Sequence, residues 1–146
     1  MPSDLPFATT LLVRDTCLCL HVQRAARALA RCYDDAFRPL GITSGQFSLL
    51  MALNRPEAAA IGQVAALLAM DRTTLTANLK PLERLGYLEV RAGETDRRRR
   101  TLTLTAAGRA LLIAAVPIWQ QTHASLQAKL PPSGADGLRA NLNALT

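Results

Sequence analysis

Residues 61–105 read IGQVAALLAMDRTTLTANLKPLERLGYLEVRAGETDRRRRTLTLT, and this stretch decides the fold. Its short apolar segment is followed by Asp71, a residue type that caps helix N-termini by accepting hydrogen bonds from unpaired backbone N–H groups. A second helix is therefore expected to begin there. Gly86 suits its end, because glycine readily adopts the left-handed backbone that closes helices. Three leucines at helical spacing predict one buried face on this second helix: Leu75, Leu79 and Leu82.

The sequence after Gly86 predicts two β-strands, Tyr87–Arg91 and Thr101–Thr105, joined by a charged loop over residues 92–100. Leucine and threonine alternate in the second strand, so one of its faces is apolar. Two helices followed by a hairpin with a basic tip are the layout of a winged helix-turn-helix. In that layout the second helix reads the DNA major groove and the hairpin reaches the neighbouring backbone or minor groove.

Three groups of motifs stand out: Leu40-Gly41-Ile42-Thr43, residues 79–86, and Asp96-Arg97-Arg98 followed by Leu102, Leu104-Thr105 and Gly108. Together they resemble the multiple antibiotic resistance regulator (MarR) family. The resemblance covers nearly the whole chain and implies a mainly α, dimeric fold with a small β-hairpin wing. The four consecutive arginines at 97–100 make the wing more basic than the family pattern, so the pattern does not decide which arginine enters the groove.

The flanking segments predict long helices. Apolar residues at heptad-like spacing predict one helix over residues 15–37, in which Arg31 could pair with Asp34 or Asp35. A second helix is expected over residues 105–129, capped by Thr105. Neither could hide its apolar face on so small a lobe, so we expect about residues 15–40 and 105–146 to dimerise and about residues 43–104 to bind DNA.

Smaller features mark the element ends. Thr43 and Gln46 fit a capping box, which predicts a helix over residues 44–53. Ser133 stands three residues before Asp136, a spacing like that of a capping box, and predicts the start of a terminal helix. Residues 1–12 show no periodicity, which predicts an arm that is ordered only when bound.

The composition favours a globular protein with a polyanionic partner. The chain has 146 residues, 49% hydrophobic and 19% charged, and a net charge of +6. Residues 91–100 hold five arginines and two acids, giving +3 at one loop. His21 and His123 lie far apart with no spaced acids beside them, so we expect no enzyme, metal or cofactor site. The odd cysteine count, with no signal sequence or membrane span, predicts a cytoplasmic location.

Each candidate DNA contact suits one type of interaction. Short threonine side chains suit phosphates and thymine methyl groups, and cationic groups supply charge. The family resemblance implies that a wing arginine enters the minor groove while the neighbouring Asp holds it. The candidates are Gln63, Arg72, Thr73, Thr74, Thr76, Lys80, Asp96, Arg97, Arg98, Arg99 and Arg100.

The expected function is a homodimeric regulator, most simply a repressor, that leaves a palindromic operator when a small effector binds. The binding site for an aromatic or carboxylate effector would be lined by His21, Arg24, Phe47 and Met51. The alternative trigger is oxidation of Cys19, which matches the position of the sensing cysteine in the family's organic-hydroperoxide regulators. An alternative of another class is a non-specific basic nucleic-acid-binding protein.

Overall fold

The computed structural model describes residues 4–146, which form a mainly helical fold with one small sheet. The winged helix-turn-helix layout is confirmed. In chain order, the elements are α1 (Phe7–Thr16), α2 (Leu18–Phe37), a short 3₁₀ helix (Arg38–Leu40), α3 (Ser44–Ala52), β1 (Ala59–Ala60), α4 (Ile61–Leu67), α5 (Arg72–Arg84), β2 (Leu88–Ala92), β3 (Arg100–Leu104), α6 (Ala106–Gln127) and α7 (Gly134–Asn143).

The N-terminal segment is helical, so the prediction of an arm over residues 1–12 is wrong for residues 7–12; residues 1–3 lie outside the described residues. The predicted single helix from residue 15 is also wrong, since α1 ends at Thr16 and α2 begins at Leu18. Between them, Cys17 has extended backbone angles (φ −67°, ψ 113°). The Thr16 hydroxyl donates to the Leu12 carbonyl at 2.7 Å, a bond that commonly bends helices.

The sheet is antiparallel with strand order β1-β3-β2. The hairpin of β2 and β3 agrees with the sequence prediction to within one residue, although Arg100 belongs to β3, opposite Ala92, rather than to the loop. The short strand β1 was missed: Ala59 pairs with Leu102 and Ala60 with Thr101, where the sequence predicted a loop. Two alanines carry no alternating pattern, so only the partner strand defines them.

Side-chain caps explain where three helices begin. The Thr43 hydroxyl accepts from the Gln46 backbone N–H at 3.2 Å, and the Gln46 side chain accepts from the Thr43 N–H at 3.0 Å, as predicted. Asp71 accepts from the Thr74 N–H at 2.8 Å. Thr105 caps α6 through the N–H of its third residue, at 3.0 Å. These bonds satisfy backbone donors that a helix start leaves unpaired.

The last helix begins without its predicted cap. Ser133 has a left-handed backbone (φ 59°) and makes no side-chain cap bond, so its proposed role is wrong although α7 itself is present. The prolines do not end their helices: α5 continues through Pro81 and α6 through Pro117. Gly86 has φ 79° just after α5, as the sequence predicted.

The acids of α2 do not pair with Arg31, which corrects the sequence prediction. Asp34 instead accepts from the backbone N–H of Ser44, at the start of α3, at 2.6 Å. Asp35 binds Arg38 at 2.5 Å. The carboxylate of Asp34 is therefore used between helices and not along its own helix face.

The core lies under the winged lobe. Its central residues come from α3, α4, α5 and the sheet, and α2 and α6 close it from the other side. In contrast, α1, α2 and α7 leave large apolar side chains uncovered, including Phe7 (72% exposed), Leu18 (69%) and Leu138 (44%). The fully buried large side chains are Phe37, Leu49, Leu50, Val64, Leu75, Leu82, Leu88 and Leu102.

Candidate nucleic-acid interface

The second helix of the motif, α5, has a buried side and an exposed side. Leu75, Leu79 and Leu82 are at most 3% exposed and fix the helix against the lobe. The other side carries the predicted contact residues: Arg72, Thr73, Thr74 and Lys80 are exposed and Thr76 is half-buried. The leucine spacing therefore orients a polar face towards solvent, where a DNA groove can accept it.

The hydroxyls at the start of α5 differ in what they already bind. The Thr74 hydroxyl donates to Asp71 at 2.8 Å, and the Thr76 hydroxyl donates to the Arg72 carbonyl at 2.8 Å. Hydrogen bonds from Thr74, first from its backbone and then from its hydroxyl, hold the pKa of Asp71 below its usual value. Within residues 4–146 the Thr73 hydroxyl has no hydrogen-bond partner, so it keeps its donor for a phosphate or base.

The start of α4 positions two further candidates. The Gln63 side-chain oxygen accepts from the Ala60 N–H at 3.2 Å, which leaves its amide NH₂ as the group available to a phosphate. The Arg72 guanidinium lies over Gly62: a Cβ there would sit 2.7 Å from the arginine Nη2. Sequence reasoning missed Gly62, and its only signal was a glycine inside a helical segment. The missing side chain gives the guanidinium its place beside α4.

The wing loop is held by Asp96, but not in the predicted way. The carboxylate accepts from the backbone N–H of Arg98 at 3.0 Å, and the Asp96 carbonyl accepts from the Arg99 N–H at 3.0 Å. The expected bond from an arginine side chain to Asp96 is not formed. An aspartate in a tight turn reaches the N–H two residues ahead most easily, so it shapes the loop and leaves the guanidinium groups unbound.

The wing therefore presents unneutralised positive charge. All four arginines from Arg97 to Arg100 are exposed, and none makes an ion pair within residues 4–146. Arg91, nearer the base of the hairpin, is bound to Glu89 at 2.9 Å. A cleft of about 360 Å³ separates wing and α5, and Thr76, Lys80 and Arg100 all line it. The structure thus brings helix and wing candidates around one concave surface.

This geometry matches proteins that are solved with DNA. A model of the MarR family matches residues 40–99. The chain is 38% identical in sequence to the transcriptional regulator MosR of M. tuberculosis, whose structure is solved in complex with DNA. The two structures superpose with a TM-score of 0.82 over 89% of this chain and 93% of MosR. The chain belongs to the MarR family. It is a DNA-binding transcriptional regulator, as the sequence predicted.

This MarR-family regulator is also similar to two regulators from other bacteria. The transcriptional activatory protein BadR of Rhodopseudomonas palustris is 39% identical over 72 residues, which are 47% of this chain and 41% of BadR. The chain therefore spans less than half of BadR. The structure of BpsR of Bordetella bronchiseptica, regulated in its DNA binding by 6-hydroxynicotinic acid, is 26% identical with a TM-score of 0.78, covering 88% of this chain and 91% of that one.

The four effector candidates of this MarR-family chain do not meet in one place. Phe47 and Met51 line an apolar cavity of about 590 Å³ between α3, α4 and α6. His21 and Arg24 instead lie along α2 in a separate pocket with other basic side chains. The remaining lining of the apolar cavity is Ser48, Ala52, Leu67, Leu68, Val116 and Trp119, none of them charged.

The other reactive groups of the MarR-family chain are dispersed. Cys19 is exposed at the second position of α2, Cys32 is exposed, and Cys17 is half-buried at the break before α2. Residues 4–146 contain no group of three or more His, Cys, Asp or Glu side chains arranged to hold a metal ion. In the same part of the chain, no helix is both long and apolar enough to cross a membrane.

Proposed function

We propose that this MarR-family regulator is a cytoplasmic homodimeric repressor that binds a palindromic operator and leaves it when a small aromatic effector binds. The observation that carries the proposal is the polar α5 face beside a wing of four exposed arginines without ion pairs within residues 4–146, with Thr76, Lys80 and Arg100 lining the cleft between them. A twofold dimer would present two such units to successive major grooves about one helical turn apart.

The homodimer is proposed from the uncovered apolar side chains of α1, α2 and α7. Leu18, Val22 and Leu29 follow one face of α2, and Leu138 and Leu142 follow one face of α7, and all five are more than one-third exposed. Burying a leucine contributes about 2 kcal/mol, so covering these faces with a second copy is strongly favourable. Residues 15–40 and 105–146 would then form the dimerisation layer, and residues 43–104 would form the DNA-binding lobe.

The DNA contacts are proposed by type. Thr73, Thr76 and Lys80 would face the major groove, while Gln63 and Arg72 would bind phosphates beside it. One of the wing arginines would enter a minor groove, whose negative potential is strongest where A·T pairs narrow it. In the part of the chain that the structure describes, Asp96 binds only backbone N–H groups of the wing loop. The guanidinium groups can therefore adopt different rotamers and reach different depths in the groove.

The direct test is selection of bound sequences from a random duplex pool at about 150 mM salt, near physiological ionic strength. An enriched palindrome with half-site centres about 10 bp apart would support the proposal. No enriched motif, combined with a steep dependence of affinity on salt, would overturn it in favour of a non-specific basic binder.

The effector site is proposed in the apolar cavity that Phe47, Met51 and Trp119 line. It has the volume of a small-molecule pocket and lies between α6 and two helices of the DNA-binding lobe, α3 and α4. A ligand there would change the position of the lobe relative to α6. The similarity to BpsR supports an aromatic ring as the ligand type.

No charged side chain among residues 4–146 lines this cavity. The aromatic ring of an effector should therefore contribute more to binding affinity than a carboxylate. Thermal unfolding with 6-hydroxynicotinic acid and with its neutral amide tests this. We expect the amide to stabilise the protein at least as well as the acid, and Met51→Trp, which fills the cavity, to remove the response to both. Stabilisation by the acid alone, retained in Met51→Trp, would move the effector site to His21 and Arg24.

A second trigger, oxidation of Cys19, is favoured by the exposure of this thiol near the start of α2. Peroxide treatment should then weaken operator binding by the wild-type protein and leave the binding of Cys19→Ser unchanged. Cys32→Ser is the matched control, since that thiol is also exposed on α2. A response that persists without Cys19 would rule out this trigger.

A further inference from the structure

Helix α3 is tied at both ends to the helices that flank the lobe. At its start, the Asp34 carboxylate of α2 accepts from the backbone N–H of Ser44 at 2.6 Å. Just past its end, the Arg109 guanidinium of α6 donates to the side-chain oxygen of Asn54 at 2.9 Å. The two ties lie roughly 15 Å apart along the helix, so together they fix the direction of its axis.

The tie at the start of α3 is more than a surface contact. The Ser44 N–H is one of the backbone donors that a helix start leaves unpaired, and Thr43 does not serve it because Thr43 binds Gln46. A carboxylate at this position also interacts favourably with the helix dipole. Asp34 is half-buried, which protects the bond from exchange with water.

The middle of α3 is held by packing. The rings of Phe37 and Phe47 stack with centroids 4.8 Å apart, and Leu49 and Leu50 are buried in the core. On its other side, α3 packs against α4, which in turn packs against α5. A change in the direction of α3 therefore moves the DNA-facing helix with it.

We propose that Asp34 and Arg109 are positioning residues for operator recognition. They make the direction of α3, and hence of α5, follow the arrangement of α2 and α6. This inference rests on the proposed dimeric operator binding, because two half-sites must be matched by both lobes at once. Neither residue touches DNA in this scheme; each sets how sharply the dimer distinguishes one half-site spacing from another.

The test compares Asp34→Ala, Asn54→Ala and wild type on three duplexes: the selected operator, the operator with one base pair inserted between half-sites, and a single half-site. Loss of either tie should lower affinity for the full operator on the order of tenfold, a usual size for coupling between sites. It should also reduce the penalty for the inserted base pair, because the lobes become free to turn. Half-site affinity should stay unchanged.

Two variants serve as controls. Asp34→Asn keeps a side-chain acceptor for the Ser44 N–H and should restore most of the spacing penalty. Asp35→Ala removes the adjacent acid, whose partner is the surface residue Arg38, and should behave as wild type. Thermal unfolding of each variant checks that the lobe is folded at the assay temperature.

Two outcomes would overturn the inference. If Asp34→Ala weakens full-operator and half-site binding by the same factor and keeps the spacing penalty, Asp34 serves folding only. If the wild-type protein itself shows no spacing penalty, the dimeric operator proposal fails first, and the positioning role falls with it. The wild-type measurement thus separates failure of the proposed function from failure of the ties.

Discussion

The DNA-binding lobe and the flanking helical layer, made of α1, α2, α6 and α7, place their apolar residues differently. Among residues 4–146, thirteen of the sixteen buried apolar residues lie between Ile42 and Leu102, whereas twelve of the fourteen exposed large apolar residues lie outside that range. The core therefore lies mostly within the lobe, and Phe37 of α2 with Leu112 and Ala115 of α6 completes it from the helical layer. The helical layer exposes apolar surface that a monomer would leave in water, which supports the proposed dimer.

The largest expected effect comes from breaking the helical layer. Leu142→Asp puts a charge on the apolar face of α7 and should give monomers, because a buried unpaired carboxylate is strongly disfavoured. A monomer contacts one half-site at a time, so operator affinity should fall by about 10²–10⁴. Size-exclusion chromatography with light scattering measures the first effect and operator titration the second.

Leu67→Asp is the matched control, because this leucine is also exposed but belongs to the lobe. It should remain dimeric. A dimeric Leu142→Asp would contradict the assignment of α7 to the interface.

Next in size is damage to the lobe core. Leu75, on the inner face of α5, is fully buried, and Leu75→Ala should lower the free energy of unfolding by about 3 kcal/mol through lost burial and a residual cavity. Leu85→Ala, at a 57% exposed position, should cost less than about 1 kcal/mol. Urea unfolding at one fixed protein concentration measures both, and equal losses would contradict the difference in burial between these two leucines.

A smaller effect is expected at the wing. Replacing Arg97 and Arg98 together by Ala removes two unpaired charges and should reduce the slope of log affinity against log salt by about 2. Folding should be unaffected, since both side chains are exposed and unpaired. Arg38→Ala combined with Arg139→Ala removes the same charge from ion-paired positions outside the lobe and should leave the slope nearly unchanged. An unchanged slope in the wing variant would exclude these two arginines from DNA contact.

The smallest effect is a pH dependence at the start of α5. The pKa of Asp71 is lowered in the folded state, chiefly by the backbone N–H of Thr74, so its contribution to stability is present above about pH 4 and is lost as pH falls further. Asp71→Asn keeps an acceptor but does not titrate. The stability difference between wild type and Asp71→Asn should therefore be constant above about pH 5 and shrink below it. A difference that stays constant to pH 3 would contradict this.

The same contrast between lobe and layer decides how much the sequence could predict. The lobe elements follow from local signals: Asp71 caps α5, Gly86 closes it, and leucine spacing selects the buried face. The break at Cys17 and the helix before it were missed, because the residues of α1 are uncovered and leave no clear periodicity. Strand β1 was missed because only pairing with β3 defines it.

The site was predictable in residue type but not in partners. The exposed positions on α5 and the basic wing follow from periodicity and charge. That Asp96 binds a backbone N–H, that Asp34 binds Ser44 and not Arg31, and that Gly62 seats Arg72 depend on which donor the folded chain brings nearest. The four effector candidates lie in two separate pockets, because sequence spacing predicts which residues share a helix face but not the angles between helices.

The two-sided character of α5 has a consequence for how operator preference can change. The leucines and Asp71 carry the folding of this helix, while Thr73, Ala77, Asn78 and Lys80 point outward and are exposed. Substitutions at these four positions can therefore alter which bases are read with little loss of stability. The outward side chains of α5 can therefore be exchanged while the buried ones stay the same. Such changes would redirect the regulator to new promoters.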